Sequence, residues 1–246
     1  MNRSCTVGFY YNCYKNKNAT DKVLEQLRKI YTSEPVFLLS DKGDDFGDIA
    51  SKYNCFYKYS DIQILGGRIL NGVNHMCFTD EICAKHYLKM IKTALEICNT
   101  DYLVFMEDDV FIHNIITHFP KHSGGNFSKN LYSDQLKPEY KNIIKETYPN
   151  VQFDYWNMAG GSIIHSATLL ECINNTSFDE IKRFDKLCMM SFQLWHTNDI
   201  LLSYLLMING KTNELQWTNT IKSNISHPDK RFYNVNLNID NGVYRK

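Results

Sequence analysis

Residues 102–112 read Tyr-Leu-Val-Phe-Met-Glu-Asp-Asp-Val-Phe-Ile, an apolar run that ends in three consecutive carboxylates, Glu107, Asp108 and Asp109. A short continuous apolar run after the break Asn99-Thr100-Asp101 suits a strand buried on both faces of a parallel sheet. Clustered charge at the end of such a strand is costly unless something offsets it. Hard oxygen donors suit Mg²⁺ or Mn²⁺, so the triplet points to a divalent cation with a phosphate-bearing ligand; a solvated acidic turn closing the strand is the simpler alternative. In extended backbone, alternate side chains point to opposite sides, which puts Glu107 and Asp109 together and Asp108 opposite them.

Upstream, Tyr87, Leu88, Ile91, Ala94, Leu95 and Cys98 share one face of a predicted helix over 84–98. A first strand is expected at Thr6 to Tyr11, then a polar loop over 12–20 and a helix from Asp21 with Val23, Leu24, Leu27, Ile30 and Tyr31 at helical spacing. Pro35 introduces Val36-Phe37-Leu38-Leu39, a second buried run that ends in the turn-rich loop Ser40-Asp41-Lys42-Gly43-Asp44-Asp45, and Cys55 to Tyr59 suits a third strand. Strands alternating with helices predict an α/β fold, a Rossmann-like, mixed and mainly parallel sheet flanked by helices. Ligands in such sheets bind outside the carboxyl ends of the strands, so Asp41 and the acidic triplet are expected on one rim.

The stretch 118–150 has weak periodicity, with Gly124-Gly125 and Pro138, and reads as a loop or lid holding a short helix near Glu139 to Thr147. Beyond it, residues 153–164 suggest two extended pieces around Gly160-Gly161. Glycines there allow close backbone approach to a ligand, and equally suit a plain hairpin. Thr197-Asn198-Asp199 opens an apolar helix that stops at Asn209-Gly210.

With 27 basic and 27 acidic residues in 246, no bulk field attracts nucleic acid, so an anionic ligand has to be caught locally. No apolar run approaches the roughly 18 residues of a membrane span. The 8 cysteines form no Cys-x-x-Cys pair and read as reduced thiols in a cytoplasmic setting, which leaves the sequons at Asn18, Asn126, Asn175 and Asn224 unused.

The order of a first strand, a Ser-Asp-Lys-Gly-Asp-Asp loop after the second, and Glu107-Asp108-Asp109 after a helix and strand is similar to the GT-A class of nucleotide-sugar glycosyltransferases, whose hallmark is an Asp-x-Asp motif. It looks most like the compact glycosyltransferases encoded by large DNA viruses, which would place the chain in the host cytoplasm. Glu107 stands where the first Asp is usual, leaving open which carboxylate touches the metal. The resemblance implies a donor-binding half at 1–117, the lid at 118–150 and an acceptor-binding, catalytic half at 151–246. It implies that Asp109 binds Mn²⁺ or Mg²⁺, that Glu107 and Asp108 lie against the nucleotide, and that Asp41 contacts base or ribose.

His227, extended before Pro228, is the candidate to complete the metal site, with an ordinary surface histidine as the alternative. Asp199 in a helix's first turn is the candidate general base of an inverting transfer, since the macrodipole keeps it ionised; simple capping is its other reading. Asn198 can hydrogen-bond a sugar hydroxyl. Arg68, after Gly66-Gly67, can reach a diphosphate or a surface partner. Tyr11 and Trp156 can stack on a base or sugar ring, and Gly160 and Gly161 belong with the acceptor. The expected activity is metal-dependent transfer of a sugar from a nucleotide-diphosphate sugar to a glycan or glycoprotein acceptor. The alternatives are a non-catalytic carbohydrate-binding protein and a nucleotidyltransferase. The latter needs a glycine-rich loop after the first strand, where Tyr11-Asn12-Cys13-Tyr14 has no glycine.

Overall fold

A computed structural model describes residues 5–64, 68–70, 73–75, 81–125, 136–152, 160–189, 198–211, 214, 217 and 220–227. In chain order the elements are β1 (Val7–Cys13), α1 (Lys17–Ile30), β2 (Val36–Asp41), α2 (Gly47–Lys52), β3 (Phe56–Ser60), β4 (Arg68–Leu70), β5 (Val73–His75), α3 (Glu81–Cys98) and β6 (Tyr102–Met106). They continue with β7 (Phe111–Ile112), β8 (Ser123–Gly124), α4 (Pro138–Thr147), β9 (Ile163–His165), α5 (Ser166–Asn175), α6 (Phe178–Met189), α7 (Asn198–Ile208) and β10 (Ile225–Ser226).

The main sheet runs β3-β2-β1-β6-β9-β8. Its first four strands are parallel; β9 runs antiparallel to β6, and β8 antiparallel to β9. The mixed, mainly parallel α/β sheet read from the sequence is therefore the one the chain forms. From β1 the chain steps outward to β2 and β3, then returns to the other side of β1 as β6. That reversal puts the switch point of the sheet at β1 and β6, and open α/β sheets bind ligands outside the carboxyl ends of the strands at such a point.

Every residue of β1, β2 and β6 is buried because each strand serves two cores. Tyr10, Phe37, Leu39, Leu103 and Phe105 pack against α3, α5, α6 and α7, whereas Phe9, Tyr11, Leu38, Val104 and Met106 pack against α1 and α2. Double-sided burial is what turns these strands into continuous apolar runs.

Three local features differ from the sequence reading. Helix α1 begins at Lys17 rather than Asp21, because the Asn16 side chain caps it by accepting the Ala19 amide at 3.0 Å. The strand expected to carry the acidic triplet at its end stops at Met106: the Val110 amide returns to the Glu107 carbonyl at 3.1 Å, so the triplet sits on a turn between β6 and β7. The stretch expected as a loop or lid contributes β8 to the sheet edge as well as α4. Helix α7 ends as read, with Gly210 at φ +63° and the amides of Gly210 and Lys211 folding back on Met207 and Leu206.

Candidate metal centre

The turn Glu107–Val110 projects from the end of β6, and the segment after it is gripped by a distant part of the chain. Strand β7 pairs antiparallel with β10, Ile112 opposite Ile225 and Phe111 opposite Ser226. The His113 amide donates to the Asn224 carbonyl at 2.9 Å, and the His113 ring meets Ser226 Oγ at 2.6 Å. The next residue, His227, is thereby carried back alongside the acidic turn. Its Nε2 lies 3.2 Å from Asp109 Oδ1 and 3.8 Å from Glu107 Oε2.

One ligand atom from each of Glu107, Asp109 and His227 lies within 4.8 Å of the others. Asp109 is 2% exposed, and the other two are partly buried. Two carboxylates this close, one of them buried, disfavour each other's charge, and a cation between them removes the conflict. A cation holding oxygen ligands at about 2.1 Å keeps them within roughly 4.2 Å of one another, so the cluster needs only a small contraction to fit one. Two carboxylates and an imidazole suit Mn²⁺ better than Mg²⁺.

Glu107 is seated by glycine. The Gly160 amide donates to Glu107 Oε1 at 3.1 Å. A Cβ on Gly160 would fall 2.9 Å from Glu107 Cδ and 2.7 Å from Val110 Cγ2. Gly161, at φ +85°, donates its amide to the Phe105 carbonyl at 2.7 Å. The two glycines assigned to the acceptor thus fix the end of β6 and the seat of Glu107.

Asp108 faces the other way, as the alternation of side chains anticipated. The Tyr11 hydroxyl donates to Asp108 Oδ1 at 2.9 Å, and Thr20 Oγ1 lies 3.2 Å from the same oxygen. Tyr11 is fully enclosed, so its ring offers no face to a base or sugar, and its contact with the site runs through its hydroxyl. Burial and then the neighbouring Asp108 charge hold the Tyr11 phenol well above its usual range. The Cys13 thiol is pushed up by burial, then by Asp108 and Asp41, which marks the negative potential meeting at the end of β1.

Asp41 ends β2 on the same rim; it is wholly buried and its carboxylate accepts the Ile64 amide. Arg68 falls in β4, and Asn198 and Asp199 open α7, so Asp199 occupies a first turn by its backbone. The side chains of these three lie outside the described residues, as does Trp156.

Thr20 and Asn12 were not singled out from sequence. Thr20 becomes visible as a first-turn residue only once Asn16 is recognised as the helix cap. Asn12 follows Tyr11, the last residue of β1 paired with β6, opposite Met106. Asn12 is 6% exposed, and its Oδ1 has no hydrogen-bond partner among the described residues.

A mainly parallel six-stranded sheet with one reversed strand, β9, and an acidic turn at its switch point is a GT-A fold, and the fold is matched among solved structures. Mouse xyloside xylosyltransferase 1, in its apo form, is similar with a TM-score of 0.51 at 7% identity, over 92% of this chain and 98% of that one. The galactosyltransferase LgtC, in complex with donor and acceptor sugar analogues, gives 0.45 at 11% identity over 81% of this chain and 70% of that one. The mannosyltransferase PcManGT from Pyrobaculum calidifontis, in complex with GDP-Man and Mn²⁺, gives 0.42 at 11% identity over 81% of this chain and 56% of that one. No protein-family model matches the chain, and no curated protein matches it in sequence.

Proposed function

We propose that this chain is a metal-dependent glycosyltransferase that moves a sugar from a nucleoside-diphosphate sugar to a hydroxyl group of a glycan or glycoprotein. The convergence of Glu107, Asp109 and His227 at the carboxyl end of β6, beside the switch point of the sheet, carries this reading. These three residues would hold Mn²⁺ or Mg²⁺, which when bound neutralises charge that builds on a departing diphosphate. Asn12, next to Tyr11 in β1, offers a buried acceptor to an N–H or O–H of the donor. Arg68 supplies a fork of donors suited to the diphosphate.

Asp199 is the proposed base. In the first turn of α7 the helix dipole favours its ionised form, so it can take the proton of an acceptor hydroxyl. The acceptor oxygen then attacks the anomeric carbon from the face opposite the leaving diphosphate, which inverts configuration. Asn198 and Trp156 would orient the sugar rings by hydrogen bonding and stacking.

Helix α7, whose first turn holds Asp199, packs in the same core as Tyr10 and Phe105 of the sheet, which is compatible with this role. The seven cysteines among the described residues are all free. No helix among the described residues is long and apolar enough to cross a membrane.

The test is a panel of UDP-, GDP- and CDP-sugars assayed for thermal stabilisation and slow hydrolysis, each with Mn²⁺ and with EDTA. One nucleotide class is expected to raise the melting temperature only with Mn²⁺ and to release its sugar. A panel in which no compound stabilises the protein under either condition would overturn the proposal.

A further inference from the structure

We infer that Asp108, the middle acid of the triplet, is a tether rather than a ligand, and that Tyr11 and Thr20 are positioning residues that set the metal centre through it. The inference rests on the metal-centre reading above and concerns what gives the turn its shape. Tyr11 is the more rigid anchor. Its backbone is paired on both sides, with Leu38 of β2 and Met106 of β6, its ring is fully buried, and its hydroxyl donates to Asp108 Oδ1. Thr20 is fully buried in the first turn of α1. The Thr20 hydroxyl lies 3.1 Å from the Asn16 carbonyl and 3.2 Å from Asp108 Oδ1, so its one proton is shared between the cap of α1 and Asp108. Two hydroxyls against one oxygen of the part-buried Asp108 carboxylate make charge-assisted bonds, stronger than those between neutral groups.

Helix α1 continues this grip along the segment. Gln26 Nε2 donates to the Ile112 carbonyl at 3.3 Å, and the hydroxyl of Tyr31, just past the helix, accepts the Ile116 amide at 2.7 Å. Thr20, Gln26 and Tyr31 thus hold residues 108 to 116 along one rail. With Asp108 drawn to that rail, the turn has Glu107 and Asp109 left on its other side, where His227 arrives from β10. Releasing Asp108 would let the turn rotate and spread the three ligand atoms, without removing any of them.

The test measures Mn²⁺ affinity by the electron paramagnetic resonance signal of free Mn²⁺, at a temperature where circular dichroism shows each variant folded. Tyr11→Phe and Thr20→Val are each expected to weaken Mn²⁺ about tenfold, the range typical of groups that orient a metal ligand. Asp108→Ala should lose at least as much. Asp108→Asn keeps an oxygen where both hydroxyls can reach it, and should stay within about threefold of the parent protein; a merely charged ligand could not be rescued this way. Asp108→Asn as weak as Asp108→Ala, or Tyr11→Phe and Thr20→Val both as tight as the parent, would overturn the tether alone. A parent protein that takes up no Mn²⁺ would overturn the metal-centre reading and the tether together.

Discussion

Strands β2 and β6 flank β1, end on the same rim, and each delivers a buried aspartate there, yet the two aspartates are answered differently. Asp41 meets a main-chain amide, that of Ile64, a neutral donor supplied by the fold itself. Asp109 meets a second carboxylate and an imidazole. The first gives the buried carboxylate a hydrogen bond from the chain itself. The second sets two carboxylates beside an imidazole, a donor set that a divalent cation would complete. Burial alone does not separate a structural acid from a ligand-binding one; the company each carboxylate keeps does.

The sharpest way to break this comparison is Asp109→Ala. Mn²⁺ affinity, measured by calorimetry, is expected to fall at least about a hundredfold and Mn²⁺-dependent nucleotide-sugar binding with it. His227→Ala removes one ligand of three and should cost about ten- to hundredfold in the same titration, with the fold intact by circular dichroism. Next comes Gly160→Ala, whose new Cβ collides with Glu107 and Val110. Overpacking of this kind costs about 1–3 kcal/mol in urea unfolding, and shifting Glu107 should loosen Mn²⁺ by about tenfold. The smallest effect belongs to Asp41→Asn, which keeps an acceptor for Ile64: unfolding free energy should change by less than about 1 kcal/mol and Mn²⁺ affinity by less than about twofold. A tenfold loss of nucleotide-sugar affinity in that variant would return Asp41 to the donor site and erase the contrast.

The sheet was legible because β1, β2 and β6 are buried on both faces and so stand out as apolar runs. Their carboxyl-terminal rim followed from the alternation of strands and helices. The opposed directions of Asp108 and its neighbours were legible too, although the triplet lies on a turn.

What the chain hides is short or non-local. The two-residue strands β7 and β10 have no period to detect, and their pairing joins Phe111 to Ser226 across half the protein, so His227 could be nominated only by resemblance. The polar segment before α1 reads as loop until Asn16 is seen as a cap, which hid Thr20 and with it the hydroxyl pair on Asp108. Helix α6 was signalled by Ser177 and Glu180, whose reciprocal hydrogen bonds at 2.7 and 3.2 Å form a capping box, but the helix was not read from it.

The central claim, that one cation sits among Glu107, Asp109 and His227, is tested most directly by pulsed electron paramagnetic resonance of the Mn²⁺-loaded protein. The expected spectrum contains coupling to one imidazole nitrogen that disappears in His227→Gln, and coupling to phosphorus when a nucleoside diphosphate is added. A Mn²⁺ signal with no nitrogen coupling, or with coupling that survives His227→Gln, would contradict it.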